Sequence, residues 1–86
     1  MDSYSISFSR SARKELEVLP ALVVQRIFSK IESLATSPRP SGCRKLKGSD
    51  NLWRIKVGEY RVIYSISDSS ILIDIIAVRH RSHAYD

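Results

Sequence analysis

The residues best suited to chemistry in this chain are cations that follow the alternation of two short strands. Leu52–Tyr64 reads LWRIKVGEYRVIY, in which two alternating segments flank Gly58–Glu59. Successive strand side chains point to opposite faces, and a tight turn makes the two segments antiparallel neighbours. Arg54, Lys56 and Arg61 are therefore predicted to share one exposed face. Because like charges repel, this cluster favours an anion as its partner.

Further cations extend this predicted face. Lys45 and Lys47 precede it in the segment RKLKG, and Arg79 and Arg81 share a parity at the end of the last strand pattern. We expect that strand to pair with segment 60–67. A concave sheet with four or five cations is typical of phosphate contact. A solvated basic face without a ligand is the alternative interpretation.

Two histidines and a tyrosine follow in the tail RHRSHAYD. His80 or His83 can act as a general acid or base near neutral pH, although a single histidine is more often a surface or hydrogen-bonded residue. Tyr85 can stack on a nucleobase, or it folds back onto the core. The chain has one cysteine, no His or Cys cluster and no glycine-rich phosphate loop. We therefore expect neither a metal nor another cofactor.

Two helices precede the basic hairpin and must support it. Residues 4–8 alternate apolar side chains with serines, which is typical of a half-buried strand. SARKELEVL and residues 22–36 then show helical spacing of their apolar side chains. Ser9 or Ser11 can cap the first helix, and Pro20 ends it. The two helices form a hairpin that needs an apolar sheet face to pack against.

The strand patterns complete the order β-α-α-β-β-β. Trp53, Tyr60 and Tyr64 fall on the apolar parity of the central hairpin, so we expect them in the core. Segment 71–78 is apolar on both faces except for Asp74, which indicates a strand well inside the sheet or one covered on both sides. The sequence thus predicts the α+β class: a small antiparallel sheet with an N-terminal helical hairpin packed on one face.

Length and charge limit the possible functions. Eighty-six residues form one domain, 1–86, with no room for a second core. The net charge of +5 and the pI of about 9.7 favour polyanionic partners. The polar N-terminus lacks a signal-peptide pattern, and no apolar run is long enough to span a bilayer. We expect a cytoplasmic protein without a membrane partner.

Several segments together resemble the RelE/ParE superfamily of bacterial type II toxins, and more closely the RelE-like mRNA interferases. They are SARKELEVLP, VVQRIFSKIESL, KLKG, LWRIKVGEYRVIYSI and VRHRSHAY. The resemblance covers nearly the whole chain and is most specific in GEYRVIY and the HR…Y ending. It implies the same small sheet flanked by helices. It also implies a toxin that enters the ribosomal A site, cuts mRNA and is held inactive by a cognate antitoxin. Operator DNA is then bound only by the toxin–antitoxin complex.

The resemblance also implies a set of functional residues, on Arg54, Lys56, Arg61, Arg81 and Tyr85. Lys56 is the expected base toward the 2′-hydroxyl, because the neighbouring cations disfavour the charged form of its amine. Arg61 suits phosphate stabilisation, Arg81 the leaving group and Tyr85 stacking on the nucleotide. Arg54 stands where the family commonly has lysine, and an arginine cannot serve as a base. The remaining expected RNA contacts are Arg54, Lys45, Lys47, Arg79, His80 and His83.

The expected reaction is endoribonucleolytic and needs no metal. It leaves a 2′,3′-cyclic phosphate or 3′-phosphate and a 5′-hydroxyl. His80 or His83 can supply the proton to the leaving 5′-oxygen instead of Arg81. Two other functions remain open from the residues. One is a ParE-like inhibitor of DNA gyrase, which has no reason to assemble this cation set. The other is a non-catalytic module that binds nucleic acid or an antitoxin.

Overall fold

The computed structural model describes residues 3–83 and contains two helices and a five-stranded sheet. The sheet order is β1-β5-β4-β3-β2, so that the first and last strands are neighbours. In chain order the elements are β1 (Ser5–Phe8), α1 (Arg10–Glu17), α2 (Ala21–Leu34), β2 (Arg44–Lys45), β3 (Trp53–Val57), β4 (Tyr60–Ser67), β5 (Leu72–His80) and a 3-10 turn (Arg81–His83).

The predicted α+β class is confirmed, with two differences in the sheet. The sequence predicted an all-antiparallel sheet of four strands, but β1 pairs parallel with β5, and the two-residue strand β2 adds a fifth member. The pairing of β5 with β4, and the position of β5 inside the sheet, are confirmed. Alternation in a sequence identifies which side chains share a face, but it does not identify which two strands are neighbours. The parallel pairing of β1 with β5 could therefore not be predicted.

The start of α1 is fixed by one serine that also contacts the sheet. Ser9 Oγ accepts a hydrogen bond of 3.0 Å from the Ala12 N–H and donates one of 2.8 Å to the Ile76 carbonyl. Ser9 rather than Ser11 is therefore the helix cap. Pro20 precedes α2 as its capping residue, where its missing N–H costs nothing. Helix α1 is thus capped by a serine that also ties it to β5, whereas α2 begins after a proline without a side-chain cap.

The core lies between the two helices and one face of the sheet. Buried apolar side chains of α1 and α2 pack there against those of β3, β4 and β5. Tyr64 is fully buried and donates a hydrogen bond of 2.8 Å to the Pro38 carbonyl, while Trp53 and Tyr60 pack against the cluster, which confirms all three as core residues. Phe28, expected in the buried stripe of α2, stays 40% exposed at the rim. Neither helix combines the length and apolarity that a membrane span requires.

A β-bulge in β5 decides which face the end of that strand presents. Tyr64 of β4 lies opposite Ile75, but Ile63 lies opposite Ala77, so Ile76 has no counterpart. One inserted residue reverses the alternation that follows it. Odd-numbered residues of β5 face the core up to Ile75 and face the other side from Ala77 onward.

Candidate functional site

Three cations form a row across the sheet on the face opposite the helices. Lys56 of β3 lies opposite Arg61 of β4, and Arg61 lies opposite Arg79 of β5. Residues directly opposite in a ladder point to the same face. These residues alternate with core members such as Val57 and Val62, so their face is the one without helices. We call Lys56, Arg61 and Arg79 the cation row.

Arg54 lies one step along the same face, beside the cation row. It pairs with Ile63 of β4 and with Arg44 of β2. The prediction that Arg54, Lys56 and Arg61 share a face is therefore confirmed. The expectation that all three are exposed is wrong, because Arg54 is only 7% exposed whereas Lys56 is exposed. The paired strand β2, which the sequence did not reveal, covers that side of β3.

Arg79 reaches the cation row because of the bulge at Ile76. Without the inserted residue, Arg79 would keep the parity of Ile73 and Ile75 and point into the core. The sequence placed Arg79 and Arg81 together by parity but could not show the bulge, because neither glycine nor proline marks it. The bulge is held from α1, since Ser9 binds the carbonyls of Ile75 and Ile76.

Glu15 of α1 contacts both the backbone and the side chain at this end of β5. Its Oε1 accepts a hydrogen bond of 2.8 Å from the Val78 N–H, and its Oε2 lies 2.8 Å from Arg79 Nε. The Glu15 side chain is 26% exposed and that of Arg79 31%. The sequence analysis did not single out Glu15. The available signal was its position beside Leu16 and three residues after Ala12, next to the buried stripe.

Arg81 and His80 lie past the cation row, at the end of β5. Arg81 belongs to the 3-10 turn, where its N–H donates a 2.7 Å bond to the Glu59 carbonyl. The expectation that it continues the strand parity of Arg79 is wrong, because β5 ends at His80. The imidazole of His80 packs edge-on against Tyr60, with ring centroids 5.3 Å apart. His80 lies two residues after Val78, which faces the core, so the two side chains share a face. The side chain of His80 therefore does not lie on the face of the cation row.

The other features of the predicted tail are the polar contacts of His80 and the positions of His83 and Tyr85. His80 Nδ1 lies 2.9 Å from Ser82 Oγ, and its Nε2 lies 3.7 Å from Glu59 Oε2. The backbone of His83 closes the 3-10 turn. Tyr85 lies outside the described residues.

The edge of the sheet at β2 and β3 extends the basic surface through two cavities of about 410 and 400 Å³. Arg54 lines both of them. No carboxylate is found among the described residues that line either cavity. The cationic and hydroxyl lining groups are Lys30, Ser33, Ser41, Arg44, Arg54 and Lys56 in the first, and Arg44, Lys45, Lys47 and Arg54 in the second.

The clearly shifted pKa values belong to a structural network away from the cation row. Hydrogen bonds from Arg39, and then from Tyr4, hold the pKa of Asp68 below its usual range. The same bonds raise the pKa of Tyr4 and of Arg39. The Arg39 guanidinium also lies 5.0 Å above the Trp53 ring. Burial raises the pKa of Tyr64, which therefore keeps its proton and its donor role.

This geometry can stabilise a phosphate but offers few proton-transfer groups. Two guanidiniums and one amine stand side by side, and an arginine donates several fixed N–H groups to phosphate oxygens. Lys56 carries the only amine in the cation row. Groups of three or more His, Cys, Asp or Glu that could hold a metal are absent among residues 3–83.

The chain is similar to toxins of type II toxin–antitoxin systems along nearly its full length. The family model described as ParE toxin of type II toxin-antitoxin system, parDE, matches residues 6–85. Toxin RelE3 of Methanocaldococcus jannaschii is 29% identical over 85 residues, covering 94% of both chains.

Solved structures of toxin–antitoxin complexes share the fold. One is the archaeal RelE–RelB complex from Pyrococcus horikoshii OT3, with a TM-score of 0.83, 29% identity and coverage of 95% of this chain and 99% of that chain. Another is the intact Escherichia coli RelBE toxin–antitoxin complex, with a TM-score of 0.82, 27% identity and coverage of 98% and 100%. The chain therefore belongs to the ParE toxin family, within the RelE/ParE superfamily of type II toxins.

Proposed function

We propose that this toxin is a ribosome-dependent endoribonuclease that cleaves mRNA in the A site through the RNA's own 2′-hydroxyl. The observation that carries the proposal is the cation row of Lys56, Arg61 and Arg79 on the face without helices. Three adjacent like charges destabilise the isolated sheet. An RNA phosphate offsets that repulsion, because each of its oxygens accepts charge-assisted hydrogen bonds.

The residues divide the work by their chemistry. Lys56 takes the proton of the 2′-hydroxyl, since an amine can lose its own proton and a guanidinium cannot. Arg61, in the centre of the row, and Arg79 beside it stabilise the charge on the pentacoordinate phosphorus. Arg81, at the end of β5, stabilises the leaving 5′-oxygen, and Tyr85 orients the nucleotide. Much of the rate then comes from positioning of the mRNA by the ribosome.

The same surface explains which partners the toxin takes. Arg54, Arg44, Lys45 and Lys47 extend the contact with RNA along the β2–β3 edge. His80 and His83 are the further RNA contacts or alternative proton donors of this proposal. The relatives solved with RelB support a cognate antitoxin as the inhibitory partner. Operator DNA is, in this proposal, bound only by the complex of toxin and antitoxin.

The decisive experiment uses purified toxin, programmed ribosomes and a 5′-labelled mRNA. We expect a single cut in the A-site codon, strongly reduced by Arg61→Ala, Arg79→Ala or Arg81→Ala. Arg10→Ala, an exposed substitution on α1, is the matched control and should cleave like the wild type. Intact mRNA with every protein, at every ribosome concentration, would contradict the proposal.

Inhibition of DNA gyrase is the second candidate, because the matching family model is that of ParE toxins. It predicts that the protein inhibits the supercoiling of DNA by gyrase and that it does not cleave mRNA on ribosomes. A protein that leaves both substrates unchanged but binds RNA would instead be a non-catalytic module.

A further inference from the structure

We infer that Glu15 is a positioning residue, which holds the Arg79 guanidinium in the cation row by binding its Nε. The inference rests on the proposed function for its effect on cleavage. The contact itself is a property of the fold and can be measured separately.

The two oxygens of Glu15 bind different parts of the same strand end. Oε1 accepts from the Val78 N–H, and Oε2 accepts from Arg79 Nε, each at 2.8 Å. β1 pairs with β5 only as far as Ile75, so beyond that point α1 lies along the edge of β5. Glu15 thereby takes the place of a neighbouring strand for one backbone N–H. The same carboxylate fixes the side chain that follows it.

Arg79 needs such a contact because of its neighbours and its length. It lies opposite Arg61, which lies opposite Lys56, so repulsion pushes its guanidinium away from the cation row. A long arginine side chain also has several rotamers, and fixing one of them costs conformational entropy. A carboxylate at Nε compensates part of the charge and selects one orientation. Binding at Nε uses one of the five N–H donors of a guanidinium, and the Nη groups carry the other donors, with which an arginine contacts a phosphate.

The contact is built on the same helix that holds the bulge. Ser9 binds the Ile76 carbonyl at 2.8 Å, and Glu15, which is less than two helical turns further along α1, binds Val78 and Arg79. Helix α1 therefore both reverses the alternation of β5 and fixes the cation that the reversal delivers. A carboxylate that served only the helix surface would have no reason to bind both groups.

Glu15→Gln separates the two bonds of the carboxylate. The amide oxygen can accept from Val78 N–H, but the amide NH₂ is a donor and cannot bind the Nε–H of Arg79. We expect the single-turnover cleavage rate on programmed ribosomes to fall roughly 10- to 100-fold, as for a misplaced catalytic group. The ribosome concentration for half-maximal rate should change little. Glu17→Gln removes the same charge from an exposed position of α1 and should retain the wild-type rate.

A double variant tests whether Glu15 acts through Arg79. In the Arg79→Ala background, Glu15→Gln should cause no additional loss of rate, because its partner is already gone. A wild-type rate for Glu15→Gln would overturn the inference while leaving the proposed function intact. Losses that multiply in the double variant would also overturn it, since Glu15 would then support the fold in general.

The position of Arg79 can also be read without activity. The Nε–H signal of Arg79 in ¹⁵N NMR should exchange slowly with water in the wild type and in Glu17→Gln, and rapidly in Glu15→Gln. Equal exchange in all three proteins would overturn the inference. If the wild type cleaves no mRNA, the proposed function fails, and this exchange measurement decides the position of Arg79 by itself.

Discussion

Lys56 differs from its neighbours in the cation row because it alone can give up its charge. Lys56→Arg keeps the positive charge and removes the base, so we expect the single-turnover cleavage rate to fall about 10²- to 10⁴-fold, the usual contribution of general base catalysis. Lys14→Arg, at an exposed position of α1, is the matched control. Retention of the wild-type rate by Lys56→Arg would show that the position supplies charge alone.

At the scale of single residues, sequence reasoning found the basic face but not its details. Alternation, together with the tight turn, correctly put Arg54, Lys56 and Arg61 on one face, because successive strand residues point to opposite faces. It could not show that Arg54 is buried, which depends on the short strand β2. It also missed Glu15, because a contact between residues 64 positions apart leaves no local pattern.

At the scale of elements, the cap of α1 has an effect on the sheet. Ser9→Ala removes the hydrogen bond to Ala12 N–H and the bond to the Ile76 carbonyl. We expect a loss of about 1–2 kcal/mol in the free energy of unfolding, measured by urea denaturation. Ser11→Ala, at an exposed position in the first turn, should cost much less. Equal losses for the two variants would contradict the assignment of Ser9 as the cap.

The turn before β5 contains a β-branched residue in the left-handed region, Ile71 at φ +51°. Ile71→Gly and Ile71→Ala both remove the partly exposed side chain, but only glycine adopts this backbone without strain. We therefore expect the glycine variant to be more stable than the alanine variant by about 1 kcal/mol in urea unfolding. At an ordinary turn position alanine would be the more stable of the two, and that order would contradict the prediction.

The elements themselves were largely predictable, whereas their arrangement was not. Both helices and the hairpin of β3 and β4 follow from local periodicity, and the structure has them within a few residues of the prediction. The parallel pairing of β1 with β5 and the bulge at Ile76 are non-local. Both depend on which surfaces remain available once the helices have packed.

At the scale of the whole molecule, we expect the net charge of +5 and its uneven distribution over the surface to determine how strongly RNA binding depends on salt. For single-stranded RNA, each neutralised phosphate contributes about −0.7 to the slope of log K against log salt concentration. Three contacts from the cation row predict a slope of roughly −2. Fluorescence anisotropy with a labelled RNA measures it. Arg61→Ala should make the slope shallower by about 0.7, and Arg10→Ala should leave it unchanged. A slope near zero would exclude phosphate contact.

Because β1 pairs with β5, the sheet cannot be completed during translation until β5 has been synthesised. β1 is synthesised well before its partner residues, 72–75. Until then β1 has no neighbour, α1 has no β5 to bind, and the cation row lacks Arg79. Contacts between distant parts of a chain also form late in folding because of loop-closure entropy. A nascent chain that lacks β5 therefore carries helices and a hairpin but no complete cation row.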